Sequence, residues 1–325
     1  ILDILVQKVK EGVDVRVIYD DVGCLQTLPY KYNEKLEKMG IKCEVFNPFK
    51  PTPEIIINNR DHRKIVVIDG HTAFTGGINL ADEYINEYEK HGHWKDASVM
   101  IKGDAVWSFT VMFLQVWMYL RPSDKDDFEK YRPHTYHEQE FEGDGFIQPY
   151  GDCPLDKETV GENAYINMIT KAKKYVYIET PYLIVDNEVV TALKLAAKGG
   201  VDVRIITPHI PDKWYVHLMT QAYYAPLIEA GVKIYEYTPG FIHSKICFCD
   251  DDTAIVGTIN FDYRSLYLHF ECGVWMYKNS EIKAIKDDFF EILKVSRRVT
   301  DEDCKRVPWY KRFMRALFRI FAPLM

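Results

Sequence analysis

Asp61–Asn79 reads DHRKIVVIDGHTAFTGGIN, and Ile242–Asn260 reads IHSKICFCDDDTAIVGTIN. Laid against each other without a gap, the two stretches share His-x-Lys-x4-Asp and, further on, Gly-x-x-Asn at the same offsets. The likeness continues upstream in the same order. Lys10–Tyr19 (KEGVDVRVIY) matches Lys198–Thr207 (KGGVDVRIIT), and Lys38–Phe46 (KMGIKCEVF) matches Glu229–Tyr237 (EAGVKIYEY). Three blocks in one order in both halves mean a duplication, so the fold is two homologous domains in one chain.

Each block has the same grammar. A helical pattern runs into glycine (Gly12, Gly40), and a β-branched strand follows. In the first half, helices are expected over 1–11 and 29–39 and strands over 13–19 and 42–46; in the second, helices over 162–173 and 187–198 flank a strand at 175–180. Lys64–Ile68 is nearly all β-branched, as a strand covered on both faces is. The class is α/β, with a mostly parallel or mixed sheet flanked by helices in each domain and a pseudo-twofold axis between the domains. The first domain is placed at 1–121, a charged, proline-bearing linker at 122–143, the second domain at 144–300 and a basic amphipathic tail at 301–325. Ile1 already aligns near Val189, so roughly 30 to 45 residues of the first domain's start are expected upstream of this numbering, by the usual length of the missing elements.

The 325 residues suffice for two cores, and 47% hydrophobic content describes a folded protein. A net charge of −7 counts against a dedicated nucleic-acid binder, whose contact face needs surplus Lys and Arg. Seven cysteines without a paired framework read as free thiols in a reducing compartment. The longest apolar run, Val106–Leu120, is short and polar-flecked, and reads as a buried helix rather than a membrane span.

The chemistry lies in the duplicated motif. Positions i and i+2 of a strand share a face, so His62 with Lys64, and His243 with Lys245, enter one pocket side by side. Asp69 and Asp250 complete the motif triplets and are grouped with them as candidate catalytic residues, although their opposite parity suits them to tying the strand end into its surroundings. In the turns, the small residues Gly77 and Thr258 let backbone approach a ligand, and the amides of Asn79 and Asn260 can donate to phosphate oxygens. Two lysines and two amides can neutralise a phosphodiester without a metal ion. Two histidines can divide nucleophile from general acid. His62 is taken as the nucleophile, with His243 the close alternative. A nucleophilic histidine needs an orienting partner on its other nitrogen, and Glu271 and Asp96, just before corresponding strands, are the candidates. His91 and His93 lack a third ligand and read as loop; no metal or other cofactor is expected.

The double motif resembles the phospholipase D superfamily and, within it, the bacterial cardiolipin synthases. Asn59–Asp69 (NRDHRKIVVID), Phe74–Tyr84 (FTGGINLADEY), His93–Ala97 (HWKDA), Glu179–Leu183 (ETPYL) and Arg319–Met325 (RIFAPLM) carry the resemblance. It implies transfer of a phosphatidyl group from one phosphatidylglycerol to another through a phosphatidyl-histidine, releasing glycerol. It implies the cell membrane of a bacterium as the location, with the catalytic domains on the cytoplasmic side. The alternatives are hydrolysis of a phospholipid or nucleic acid on the same scaffold and a non-enzymatic lipid-binding module. In the tail, Trp309, Phe313, Leu317, Ile320 and Phe321 oppose Arg312, Arg315 and Arg319, a pattern suited to an anionic membrane surface or to packing on the protein's own core. The stretch Trp214–Ile228 could line an acyl-chain groove or belong to the core. The oligomeric state is open.

Overall fold

A computed structural model of the chain describes residues 1–49, 58–138, 141–320 and 322. The helix-to-glycine reading holds. The helix Leu2–Lys10 ends before Gly12 at φ 90°, and Tyr32–Lys38 ends before Gly40 at φ 84°, a region open to glycine at little steric penalty. The strands Arg16–Asp20 and Lys42–Phe46 follow these two turns and pair in parallel.

The second half builds one mixed sheet. Tyr175–Glu179, Asp202–Pro208 and Lys233–Tyr237 are parallel neighbours. On the other edge of Tyr175–Glu179, the sheet continues antiparallel through Ile246–Cys249, Thr253–Gly257 and His269–Tyr277. Phe146–Asp152 pairs antiparallel with His269–Tyr277, and Ser296–Val299 closes the far edge. The helices Val160–Lys171 and Asn187–Lys198 lie against this sheet, the second capped by Asp186 accepting from Val189 N at 2.9 Å.

The first half repeats these elements in two pieces, the parallel pair above and an antiparallel sheet of Ile65–Ile68, Thr72–Gly76 and Ser98–Lys102. No strand among the described residues joins the pieces as Tyr175–Glu179 does in the second half. This corrects the reading of Ile65–Ile68 as covered on both faces. Its burial alternates, with Val66 and Ile68 about half exposed, because nothing among the described residues lies over that side. The equivalent Ile246–Cys249 is buried throughout.

Val106–Leu120 is a helix, with Phe109, Leu114 and Trp117 buried, and no helix among the described residues is long and apolar enough to cross a membrane. The stretch Trp214–Ile228 forms two short helices whose Met219, Tyr223 and Tyr224 are sealed in the core, so those side chains line no groove. The tail forms the helix Trp309–Ile320. It packs through Phe318 against Trp214, while Trp309, Phe313, Leu317 and Ile320 face outward. Phe321 lies outside the described residues.

Candidate active site

Two strand pairings that cross between the repeats build the site. Arg60–Asp61 runs parallel to the start of His269–Tyr277, with Phe270 opposite Asp61. Gly240–Ile242 runs parallel to His93–Lys95, with Lys95 opposite Ile242. In each pair the next residue on one strand is a motif histidine and the next on the other is a carboxylate: His62 beside Glu271, His243 beside Asp96. The ladders carry this registration one step further, His62 N donating to Phe270 O at 2.9 Å and His243 N to Lys95 O at 2.7 Å.

The imidazoles are therefore held by the opposite repeat. His62 Nδ1 lies 2.8 and 3.0 Å from the two Glu271 oxygens, and His243 Nδ1 lies 2.7 Å from Asp96 Oδ2. Both carboxylates are buried, so the pairs are screened little by water. With Nδ1–H donating to a carboxylate, Nε2 is the nitrogen left for chemistry on each ring. Lys64 and Lys245 each donate to the carbonyl of their own motif histidine, which fixes both ammonium groups beside the rings.

The two half-sites lie within electrostatic reach of each other. Burial pushes His243 down to about 4, with Lys245 and, across the pocket, Lys64 adding to the effect. Burial likewise pushes His62 down to about 3, outweighing the pull of Glu271, and takes Lys245 to about 7. Although burial opposes it, His62 and His269 hold Glu271 well below the usual carboxylate range; His243 does the same for Asp96. These surroundings thus favour neutral imidazoles backed by ionised carboxylates.

Two of the turn residues, Thr258 and Gly77, meet the carboxylates. The Thr258 hydroxyl donates to Glu271. At the matching place, a Cβ on Gly77 would overlap Asp96 Oδ1 and lie 2.8 Å from His243 O, so only glycine fits beside Asp96. The Asn79 amide donates to the Tyr84 hydroxyl. Asn260 is buried, and its Oδ1 has no hydrogen-bond partner among the described residues.

The motif aspartates, grouped with the catalytic residues by sequence, hydrogen-bond away from the histidines. Asp250 sits beyond the far end of Ile246–Cys249 and accepts from the backbone N–H of Lys173, Lys174 and Tyr175 at 2.6, 2.8 and 3.0 Å. Asp69, at the same turn of the first repeat, is exposed and contacts His137 Nε2 at 3.3 Å. Both have φ 54°, the left-handed turn that aspartate tolerates well. Strand parity pointed to this anchoring role.

Sequence reasoning missed the residues that make the two halves unlike. His269 lies two residues before Glu271 and Trp94 two before Asp96, so each shares its carboxylate's face. The His269 ring sits 5.5 Å from that of His62, with Nδ1 3.6 Å from Glu271 Oε1. His243 is instead boxed by Trp94 at 5.3 Å, Tyr84 at 5.3 Å and Phe241 at 5.9 Å. His62, His269 and Glu271 offer ligand atoms within 4.8 Å of one another and are a set that could hold a divalent cation.

The pattern of the family described as cardiolipin synthase, PLD-like domain, matches residues 1–113 and 165–293. The chain belongs to that family. Within the family of phospholipase D-like cardiolipin synthase domains, it is 38% identical over 329 residues to a cardiolipin synthase of Alkalihalophilus pseudofirmus, covering 64% of that protein. It is also 38% identical to cardiolipin synthase 2 of Bacillus cereus, covering 63% of it. An uncharacterised protein of Streptococcus mutans is 51% identical over 326 residues, 70% of its length. All of this chain is covered in these matches, and it spans roughly two thirds of its relatives. Among solved structures, the phosphatidylserine synthase of Haemophilus influenzae superposes with a TM-score of 0.69 over 97% of this chain and 81% of that one. At 14% identity, that likeness speaks to the fold.

Proposed function

We propose that this chain carries the active site of a cardiolipin synthase, moving a phosphatidyl group from one phosphatidylglycerol to the glycerol hydroxyl of another. The observation that carries the reading is the crossed pair of His–carboxylate contacts, which leaves Nε2 of each ring for chemistry, with each motif lysine bonded to its own histidine's carbonyl and Lys64 within electrostatic reach of His243.

The proposed roles follow from the asymmetry. The His62 side chain is 25% exposed and that of His243 8%. The more open His62 attacks phosphorus through Nε2, and the P–O bond to the leaving glycerol breaks. His243 gives that glycerol oxygen a proton, and the faces of Trp94 and Phe241 favour its imidazolium form. In the second half-reaction, His243 takes the proton from a hydroxyl of the incoming phosphatidylglycerol. That oxygen attacks phosphorus, and His62 Nε2 leaves. One phosphodiester is exchanged for another, so no energy donor is required. Lys64 and Lys245 offset the charge that builds on the phosphoryl oxygens.

Burial disfavours charge on both histidines. A phosphodiester anion between the two lysines reverses that balance and draws in the proton that His243 later donates. The outward apolar side of Trp309–Ile320 supports a membrane surface as the working place. The test is incubation with phosphatidylglycerol vesicles, with and without chelator, followed by lipid chromatography. Cardiolipin and glycerol in equal amounts are expected; phosphatidic acid alone means hydrolysis, and loss of activity on chelation means a metal takes part.

A further inference from the structure

A cavity of about 550 Å³, lined by neither motif histidine, lies between the C-terminal helix Trp309–Ile320 and the two short helices Trp214–Thr220 and Tyr224–Ile228. Arg312, Arg315 and Arg319 all line it from the C-terminal helix, Arg315 half-buried and the other two exposed. Their spacing of three and four residues stacks them on one face. None of the three has a carboxylate partner among the described residues. Arg312 donates to the carbonyls of Val307 and Lys305. Arg319 lies over the Tyr223 ring at 4.9 Å. Arg315 donates through one terminal nitrogen to Gln221 Oε1, while its buried Nε has no partner. The acids on the rim are Glu229 and Asp301, and Lys305 already neutralises Asp301.

A half-buried guanidinium whose buried Nε lacks a partner is unfavourable, and guanidinium forks match phosphate oxygens in geometry. Beside the arginines, the same helix presents Trp309, Phe313 and Leu317 to the outside, with Ile320 at the cavity edge. Arginines that line a cavity next to an exposed apolar strip suit a ligand that enters from the lipid side. We infer that this cavity is a phosphate site, taking the headgroup phosphodiester of an anionic phospholipid while the outward side of the helix lies in the bilayer surface. The inference rests on the membrane reading above and adds a lipid site separate from the one that reacts.

Co-sedimentation of the whole chain with three vesicle populations tests it: phosphatidylcholine alone, phosphatidylcholine with phosphatidylglycerol, and phosphatidylcholine with oleate at matched surface charge. The wild type is expected to bind phosphatidylglycerol vesicles about tenfold tighter than oleate vesicles, since only the former offer an anionic phosphate to the forks. Arg315→Gln is expected to abolish that preference and Arg315→Lys to retain part of it, while the surface control Lys198→Gln leaves it intact. Unfolding temperatures of the variants separate loss of the site from loss of the fold. Equal wild-type affinity for the two anionic populations overturns the lipid as the occupant and leaves the membrane reading standing. Binding to no vesicle overturns the membrane reading. The arginine Nε–H resonances with glycerol 3-phosphate, assigned through Arg315→Gln, then decide the cavity: no shift overturns a phosphate site altogether. A shift without any vesicle preference overturns the lipid in favour of a soluble phosphate ester.

Discussion

Glu271, in the second repeat, accepts the Nδ1 hydrogen bond of His62, in the first, at 2.8 Å. Asp96 does the same for His243 in the opposite direction. Neither repeat holds its own histidine, so one repeat alone has no oriented imidazole.

Glu271→Gln and Asp96→Asn each remove the charge that fixes one ring and its tautomer. Each is expected to lower kcat about a thousandfold with KM little changed, as removal of the orienting carboxylate of a histidine does elsewhere. Steady-state kinetics on phosphatidylglycerol vesicles check this. Loss confined to KM would instead place the carboxylates in lipid binding.

The turn residues differ because the carboxylates do. Thr258→Val deletes the hydroxyl that donates to Glu271 and is expected to reduce kcat about tenfold, while Thr258→Ser stays near wild type. Gly77→Ala pushes a methyl into Asp96 and is expected to be the more damaging change, with kcat falling at least about a hundredfold. Activity should order as Thr258→Ser, Thr258→Val, Gly77→Ala.

Lys245 is buried, and burial lowers it to about 7. The unfolded chain holds that proton up to about 10.4, so the folded state is penalised increasingly as pH falls from there to 7, and fully below 7. Lys245→Met is therefore expected to be inactive yet to unfold roughly 3–10 °C higher at pH 7, with the gap closing toward pH 10. A Tm below wild type at pH 7 would show that Lys245 supports the fold.

Asp250 anchors three backbone N–H groups and touches no reacting group. Asp250→Asn is expected to cost about 1–3 kcal/mol of stability in urea unfolding, while kcat per folded molecule changes less than about threefold. Asp69→Asn, at an exposed site, should alter neither. A large kcat loss in either variant would return the aspartates to the chemistry.

Much of this was legible in the sequence, for identifiable reasons. Strand parity put His62 beside Lys64 and His243 beside Lys245, and set Asp69 and Asp250 on the other side. The duplication set Glu271 and Asp96 in corresponding places, but which histidine each would hold was beyond it. That depends on Phe270 lying opposite Asp61 and Lys95 opposite Ile242, a pairing between segments about 150 to 210 residues apart that local pattern does not encode. His269 and Trp94 were readable by the same parity rule, two positions before each carboxylate. Ile65–Ile68 misled because β-branching reports a fit to strand geometry, whereas cover on a second face requires a neighbouring element. The tail's two faces were plain, but only packing shows that its arginines line a cavity.

The central claim is that His62 and His243 share one pocket as nucleophile and as acid and base. The most direct measurement is trapping of radiolabelled phosphatidyl-enzyme after brief exposure to labelled phosphatidylglycerol, in His62→Asn and His243→Asn proteins. Label that persists on His243→Asn, at a reduced rate of formation, and is absent from His62→Asn is the predicted result. Label on His62→Asn and none on His243→Asn would contradict it.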